Sequence, residues 1–332
     1  MNEVNLLDNK NSTPILLILF NRPDYFSESI NVINRILPEK LYIHIDGPRN
    51  ADDEEKIKTI KKQFTNINKK IELSILSQET NLGCGLGMVS AINWFFENED
   101  YGIILEDDCI PNESFYKYCT IFLKEHKENK DVFMISGDNG GELIPSKFFR
   151  EFETMSIPIP IIWGWATWKD RWELYEYKKP DLNFLKLYKK LKHFKIFEKI
   201  FVISYLKKLK NYKALNTWDI HLFYQLVVSE RLCIIPKLNL IKNIGFDDNA
   251  THTKETTFRS HAKTYNLDIK ARNTINSNKT LNSKLLYLLQ SNFHSSLVYK
   301  QPLIFIRILY LSRRLSYFLR SLYSKFRKLT RN

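Results

Sequence analysis

Residues Tyr101–Asp108 read YGIILEDD, a short apolar run that ends in three adjacent carboxylates. A run of this length bounded by charged residues predicts a β-strand. In an open α/β sheet the carboxyl ends of the strands line the ligand crevice, so Glu106, Asp107 and Asp108 are expected to face whatever the protein binds. The alternative is a solvated acidic turn that opens the next helix.

The sequence around this run alternates short β-rich segments with helical ones, which is the pattern of an α/β protein with a mostly parallel sheet flanked by helices. The predicted strands are Ile15–Phe20, Leu41–Ile45, Ile71–Leu76, Gly102–Leu105 and Val132–Ile135. The predicted helices are Asp24–Leu37, Asp53–Phe64, Met88–Glu97 and Ser114–His126. Pro23 suits the first turn of the first helix.

The alternation ends near residue 150, which divides the chain into four predicted parts. Residues 1–150 are the first half of the domain, and residues 151–260 are a helical second lobe that completes the site rather than an independent fold. Residues 261–294 are rich in Asn, Lys, Ser and Thr and predict a polar linker. Residues 295–332 predict a basic amphipathic helix.

Composition excludes several classes of protein. With 332 residues, 44% of them hydrophobic, the chain can enclose a core without disulfides or structural metal. The four cysteines form no C-x-x-C pair, which argues against zinc ribbons and favours a reducing compartment. The apolar run Ile15–Phe20 is too short for a signal peptide or a membrane span, so a cytoplasmic location is expected.

The net charge of +13 is concentrated in residues 181–213 and 300–332, which leaves the remainder slightly acidic. A nucleic-acid interface is therefore not expected at the site. In the last segment, apolar residues share one helical face and four arginines lie opposite. This helix is expected either to dock on an anionic membrane surface or to pack on its own domain.

Three crowded carboxylates repel one another, and a divalent cation or ligand hydroxyls would relieve that repulsion. Hard oxygen ligands select Mg²⁺ or Mn²⁺, which commonly bridge to phosphates. The acidic run thus predicts a site for a phosphorylated ligand with a divalent cation as cofactor.

Seven motifs occur in a characteristic order and together resemble the metal-dependent glycosyltransferases of the GT-A fold, a Rossmann-like architecture. The likeness is greatest to N-acetylglucosaminyltransferase I and similar bacterial enzymes, and it covers roughly residues 14–255. The motifs are FNRPD (20–24), HIDG (44–47), NLGCGLG (81–87), EDD (106–108), SGDNGG (136–141), WGWATW (163–168) and TWD (217–219).

This resemblance implies that Arg22 and Asp46, each following a predicted strand, hold the uracil end of a UDP-sugar. A surface cation and an Asp-Gly-Pro turn residue are the respective alternatives. Within EDD, the family pattern makes Asp108 the metal ligand and turns Glu106 and Asp107 toward ribose and sugar hydroxyls.

Three further positions are expected to bind the donor. Asn81 opens a glycine-rich segment before a helix, whose free amides could favour an anion or polar ligand; a flexible helix entry is the alternative. Trp163 and Trp165 flank Gly164 and border the donor sugar in the similar enzymes, although aromatic core packing explains them too. Trp168 and Trp172, four apart on a helix, are expected in the core.

Asp219 is the expected general base, because a positioned carboxylate can take the proton of an attacking hydroxyl. The alternative is a structural role, in which Asp219 lies in the first turn of a helix over 218–228 and its negative charge interacts favourably with the helix dipole. His252 follows a strand-like stretch, Cys233–Ile241, and is a candidate second metal ligand because a late His completes the metal shell in many GT-A enzymes. A solvated loop residue is its alternative.

The sequence therefore predicts an inverting, metal-dependent hexosyl- or N-acetylhexosaminyltransferase. It would move a sugar from a nucleotide sugar to a glycan or lipid-linked glycan acceptor at the inner membrane face, as in capsule or lipopolysaccharide assembly. There are two alternatives: a sugar nucleotidyltransferase, and a non-catalytic, membrane-docked binding module of the same fold. A sugar nucleotidyltransferase would be expected to have a basic Gly-rich loop immediately after the first strand.

Overall fold

The computed structural model describes a defined part of the chain. The described residues are 12–140, 149, 152–178, 183–191, 199, 202–203, 206, 216–246, 262–267 and 274–275. His252, most of the lysine-rich segment 181–213 and the whole of the predicted C-terminal helix 295–332 lie outside them.

The first half of the chain alternates strands with helices, as predicted. The strands are β1 (Ile15–Leu19), β2 (Lys40–Ile45), β3 (Glu72–Ser77), β4 (Tyr101–Glu106), β5 (Cys109–Pro111) and β6 (Val132–Ser136). The helices are α1 (Pro23–Ile36), α2 (Ala51–Lys62), α3 (Gly83–Asn98) and α4 (Glu113–Glu125). All the predicted elements are confirmed, except that α3 begins five residues before the predicted Met88 and the short β5 was not predicted.

Local chemistry explains where these helices begin. Pro23 occupies the first turn of α1, where its missing amide hydrogen costs nothing. The side chains of Asn50 and Asn112 cap α2 and α4 by accepting hydrogen bonds from backbone amides three residues on, at 2.9 and 3.0 Å. These caps fix the helix starts close to the carboxyl ends of the preceding strands.

A nine-stranded mixed sheet forms the centre of the described chain. We name the remaining strands β7 (Thr154–Ile157), β8 (Trp165–Trp168), β9 (Leu232–Pro236), β10 (Ile241–Asn243) and β11 (Thr274–Ile275). The strand order is β11-β7-β9-β6-β8-β4-β1-β2-β3, and β10 pairs with β5 in a separate ribbon. Strands β3, β2, β1 and β4 are mutually parallel, which brings their carboxyl ends to one rim. This is the predicted Rossmann-like α/β architecture.

Both faces of the sheet are covered. Along β1, the side chains of Leu16 and Ile18 belong to one buried cluster, whereas those of Ile15, Leu17 and Leu19 belong to the other. Successive strand residues point to opposite faces, so a strand covered on both sides has to be apolar throughout. This is why β1 is an uninterrupted apolar run.

The second half contributes strands to the same sheet, which corrects the prediction of a helical second lobe. Strand β8 lies between β4 and β6 and is antiparallel to both, and β7 is antiparallel to β9. Trp168 and Trp172 are buried, as predicted, but Trp168 ends β8 while Trp172 ends the short helix α5 (Lys169–Trp172). The described helices that follow are α6 (Phe184–Lys190) and α7 (Asp219–Ser229).

Parts of the predicted linker 261–294 lie against the domain. The backbone amide of Tyr265 donates to the carbonyl of Asn239 at 2.9 Å, and its carbonyl accepts from the side chain of Asn112 at 2.6 Å. Leu267 is buried, and β11 adds a parallel edge strand to β7. Among the described helices, none has the length and apolar character needed to cross a membrane.

Candidate active site

The carboxylates of the EDD sequence line a cavity at the rim formed by β1, β2 and β4. Glu106 ends β4, and Asp107 and Asp108 form the turn to β5. The cavity has a volume of about 370 Å³ and is also lined by Asp46 and Asp219. Asp107 and Asp108 expose 11% and 22% of their side chains. The acidic run therefore lies at the carboxyl ends of the strands, as predicted, and lines a cavity there.

One arginine is shared by two of these carboxylates. Nη1 of Arg22 lies 2.9 Å from Oδ1 of Asp107 and 3.5 Å from Oδ2 of Asp108. The guanidinium also lies over the ring of Tyr25, 5.2 Å from its centroid. Arg22 lines the same cavity as Asp46 and donates hydrogen bonds to Asp107 and Asp108, which together with Glu106 we call the acidic cluster.

The acidic cluster carries more negative charge than Arg22 offsets. Burial, with the charges of Asp108, Asp107 and Asp219, raises the pKa of Glu106 well above its ordinary value. Burial raises the pKa of Asp107 to about 7, although Arg22 acts in the opposite direction. The pKa of Asp108 is likewise raised by burial. Repulsion between the carboxylates contributes to the raised pKa of Glu106, and a bound cation would relieve that repulsion.

Asp107 and Asp108 are the side chains that would hold a divalent cation, with oxygen atoms of a bound phosphorylated ligand and of water completing its coordination. Asp107 and Asp108 already direct one oxygen each toward the same positively charged nitrogen. No cluster of three or more metal-ligating side chains occurs among the described residues. Mg²⁺ is commonly bound by one or two carboxylates, with water and phosphate oxygens completing the shell. The predicted second ligand, His252, lies outside the described residues.

A loop after β10 wraps around Asp108. The amide of Ile244 donates to the Asp108 carbonyl at 2.9 Å, and Nδ2 of Asn243 donates to Asp108 Oδ1 at 3.3 Å. A Cβ at Gly245 would clash with the Asp108 carboxylate. The loop can approach this closely because Gly245 has no side chain. Asp108 is therefore contacted both by Arg22 and by the segment that contains Asn243.

Asp46 has a different environment from the one predicted for a uracil ligand. Its Oδ1 accepts from the amides of Gly47 and Leu82 at 2.9 and 2.8 Å, and its Oδ2 accepts from the amide of Gly83 and from Asn81 Nδ2, both at 3.0 Å. Four donors fill the acceptor sites of a carboxylate. In this structure Asp46 joins β2 to the start of α3, so its contact with uracil stays a prediction.

Three backbone amides at the start of α3 already donate to side chains of the protein, so the predicted binding of an anion or polar ligand there stays a prediction. Besides the two that bond to Asp46, the amide of Gly85 donates to Oδ1 of Asn216 at 3.2 Å. Asn81, predicted to bind the donor, lines the cavity, but both hydrogens of its amide donate, one to Asp46 and one to the carbonyl of Gly47 at 2.9 Å. Its remaining polar atom is Oδ1, an acceptor.

The glycines of this segment permit close packing by the second half of the chain. Gly83 has a φ of +76°, and Asn216 lies where a Cβ would be, at 2.8 Å from the Cβ position. Tyr177 occupies the corresponding space at Gly85. These contacts fix the segment that leads into Asp219 against α3.

Asp219 begins α7 and lines the cavity together with the acidic cluster. Its Oδ1 accepts from the hydroxyl of Thr217 and from the amide of Ile220 at 2.8 Å. Asp219 contributes to the raised pKa of Glu106, so the two carboxylates are electrostatically coupled. The predicted base is thus brought to the predicted donor site by a separate part of the chain.

The two tryptophans predicted to border the donor are separated by the fold. Trp163 lines the cavity, and its ring meets that of Phe246 edge-on at 5.6 Å. Trp165 is fully buried and stacks on Trp218 at 5.7 Å. Residues two apart in a continuous strand would share a face, but β8 begins only at Trp165, and the preceding Gly164 has a φ of +59°, which breaks the alternation. Trp165 is therefore a core residue, whereas Trp163 lines the cavity. The predicted donor contact of Trp165 is not supported.

Several cavity residues were missed by the sequence analysis. These are Phe20, Arg49, Asn216, Asn243 and Phe246. Phe20 and Arg49 follow β1 and β2, so their position after a strand was an available signal. Asn216, Asn243 and Phe246 reach the cavity through long-range packing that has no local sequence signal.

Comparison with known proteins gives no family assignment. No family model matches the chain, and no curated protein matches its sequence. Among solved structures, one that is similar is a UDP-glucose pyrophosphorylase complexed with UDP-glucose, with 8% identity and a TM-score of 0.37 over 70% of this chain and 91% of that one. Another is a Bacillus anthracis protein assigned as a glucose-1-phosphate thymidylyltransferase, in complex with sucrose, with 10% identity and a TM-score of 0.29 over 50% and 76%.

Both of these proteins are named for nucleotidyl transfer, the alternative reaction of the sequence analysis, and neither is named as a glycosyltransferase. Similarity of this size does not decide between the two reactions. The specific likeness to N-acetylglucosaminyltransferase I rests on the sequence motifs.

Proposed function

We propose that the cavity binds a nucleotide sugar, a UDP-sugar being the first candidate, and transfers the sugar to a hydroxyl group. The observation that supports this most strongly is the meeting of two distant segments in one cavity at the strand rim. One segment carries the acidic cluster at the end of β4, and the other carries Asp219 at the start of α7. A donor site and a base are the two components that sugar transfer to a hydroxyl requires.

Asp219 is suited to act as the base. With Oδ1 held by Thr217 and Ile220, its Oδ2 can accept the proton of the acceptor hydroxyl. The hydroxyl oxygen then forms a bond to the anomeric carbon of the sugar. The bond from that carbon to the phosphate oxygen breaks, and its electron pair leaves with the nucleoside diphosphate. Attack assisted by a single base on the face opposite the leaving group inverts the anomeric configuration.

The leaving diphosphate needs positive charge beside it. Asp107 and Asp108 would hold a divalent cation, which when bound would stabilise the charge that develops on the leaving group. Arg22 supplies a second positive charge at the same place and keeps Asp107 oriented at 2.9 Å. Glu106 remains available to accept hydrogen bonds from ribose or sugar hydroxyls.

A second candidate is nucleotidyl transfer to a sugar phosphate, the activity for which the two similar solved structures are named. The same acidic rim and divalent cation would serve that reaction. The residues after β1, however, are Asn21, Arg22, Pro23 and Asp24, which is not a basic glycine-rich phosphate loop. Arg22 is moreover paired with the acidic cluster.

Two measurements on the full chain separate these candidates. UDP-, GDP- and dTDP-sugars are tested for protection against thermal unfolding, with and without Mn²⁺. We expect stabilisation by one UDP-sugar only when Mn²⁺ is present. Products are then identified. Release of UDP with a glycosylated acceptor supports sugar transfer, whereas pyrophosphate released from a nucleoside triphosphate and a sugar 1-phosphate supports nucleotidyl transfer. Absence of any nucleotide binding contradicts both.

The acceptor class and the membrane location remain proposals from the sequence. A basic amphipathic helix at 295–332 would hold the enzyme at an anionic membrane, where a lipid-linked glycan is accessible. Deleting residues 295–332 should then move the protein from the membrane fraction to the soluble fraction. Unchanged fractionation would contradict the proposed docking without affecting the proposed chemistry.

A further inference from the structure

Arg49 occupies a defined place in the cavity that none of the steps above uses. It follows β2, and its guanidinium lies over the ring of Phe20, which follows β1, at 4.7 Å from the centroid. Both residues line the cavity. A guanidinium packed on an aromatic ring presents a flat, charged surface.

The orientation of this surface is fixed by Asp53. Nε and Nη2 of Arg49 donate to Oδ2 and Oδ1 of Asp53 at 2.7 and 3.1 Å, and the amide of Arg49 donates to Oδ2 at 3.1 Å. Asn21 Nδ2 donates to the same carboxylate at 2.5 Å. The side chain of Asp53 is only 1% exposed. A bidentate pair with a buried and otherwise anchored carboxylate holds the plane of the guanidinium still.

About half of the Arg49 side chain remains accessible. Asp53 occupies one edge of the group and Phe20 occupies one face, yet 54% of the Arg49 side chain is exposed. A planar ligand group can therefore lie on the face away from Phe20. Bases commonly stack on arginine planes in this way.

The position along the rim favours a base over a phosphate. The acidic cluster that would hold the cation and the diphosphate follows β4, whereas Arg49 follows β2, and β1 lies between them. Two strand spacings are about 10 Å, so the two sites are separated along the crevice. The charge of Arg49 is moreover already matched by Asp53, whereas a phosphate ligand would compete for the same donors.

From these contacts we infer that Arg49, supported by Phe20, is the surface on which the nucleobase of the donor stacks. This inference rests on the proposed function, since it assigns the base end of the nucleotide whose diphosphate lies at the acidic cluster. It makes Arg49 a residue that determines nucleotide affinity through its planar shape rather than through its charge.

The test compares UDP with inorganic pyrophosphate, each in the presence of Mn²⁺, by calorimetry on the full chain. Arg49→Ala should weaken UDP binding about 10- to 100-fold and leave pyrophosphate binding unchanged, because base stacking contributes at this level. Arg49→Lys, which keeps the charge beside Asp53 and should preserve folding, should weaken UDP binding to a similar extent. Arg49→Tyr, which restores a planar surface, should recover much of the affinity.

A matched control is Arg35→Ala, which removes an arginine of similar exposure that pairs with Glu113 on α4. It should bind both ligands as the wild type does. The inference would be overturned if Arg49→Lys bound UDP normally, or if Arg49→Ala and Arg49→Lys lost UDP and pyrophosphate binding equally. Either result would leave the proposed function standing. A wild-type protein that binds pyrophosphate but not UDP would also overturn it. Binding of neither ligand by the wild type would overturn the proposed function and the inference together.

Discussion

Two groups of carboxylates lie at the same rim of the sheet and differ in how their charges are satisfied. After β2, Asp46 and Asp53 each accept four hydrogen bonds. After β4, Asp107 and Asp108 pair with the same arginine, Arg22, and Asp108 also accepts from Asn243 Nδ2 and from the Cys109 thiol, both at 3.3 Å. Hydrogen bonds from Arg49 lower the pKa of Asp53 to about 2, whereas burial raises that of Asp107 to about 7. The opposite shifts lead us to expect that the carboxylates after β2 are structural, whereas those after β4 are available to a ligand.

The largest expected effect concerns the base that completes the acidic site. Asp219→Asn should lower the transfer rate about 10²- to 10⁴-fold, because the amide cannot accept the hydroxyl proton. UDP binding, measured by calorimetry, should change little. Asp52→Asn, an exposed carboxylate on α2 that does not line the cavity, is the matched control and should keep wild-type turnover. Full activity in Asp219→Asn would exclude it as the base.

A second prediction concerns His44, the buried histidine of β2. Its Nδ1 has no hydrogen-bond partner among the described residues, and burial lowers its pKa to about 4. The unfolded chain binds the proton near pH 6.5, so stability should fall as the pH drops from 6.5 to 4, by about 3 kcal/mol from this group. Denaturant titrations of the wild type and His44→Gln across this window measure the effect. Equal pH slopes for the two proteins would contradict it.

Asp53→Asn tests the satisfied group directly. The substitution removes charge-assisted hydrogen bonds to Arg49 and unsettles a buried, fully bonded site. Because Arg49 is half exposed, the expected loss is about 1–2 kcal/mol in the free energy of unfolding at pH 7. Urea denaturation measures this loss. An unchanged midpoint would show that filled acceptors do not make this carboxylate structural.

Glu106→Gln tests the unsatisfied group and should have the smallest effect, of opposite sign. Removing one of several buried like charges should raise the free energy of unfolding of the metal-free protein by up to about 1 kcal/mol. The same urea titration applies, and Mn²⁺ should add less stability to this variant than to the wild type. A marked loss of stability without metal would contradict the contrast between the two groups.

The parts of the fold that could be predicted from sequence are those with local signals. β1, β4 and β6 contain continuous apolar runs because both of their faces are covered. Strands β7 and β8 were missed because an aromatic, proline-containing stretch has no such periodicity, and only their insertion into the sheet makes them strands. The same insertion buries Trp165, which sequence alone could not separate from Trp163.

The site divides in the same way. The acidic cluster could be predicted because a carboxylate run directly follows a strand, and Asp219 could be predicted through the order of motifs. The filled acceptors of Asp46 depend on amides 36 and 37 residues away along the chain. The contact of Asn243 with Asp108 spans 135 residues. No local pattern reports either contact, so the distinction between structural and available carboxylates required the folded chain.

The most direct measurement is the affinity for UDP of wild-type protein and Asp108→Asn, determined by calorimetry with and without Mn²⁺ on samples with matching thermal unfolding curves. Mn²⁺ should strengthen binding of UDP to the wild type at least about tenfold, since the cation would link the carboxylate to the diphosphate. Asp108→Asn should bind UDP weakly and without dependence on Mn²⁺. Equal affinity and equal Mn²⁺ dependence in the two proteins would contradict the proposed role of Asp108.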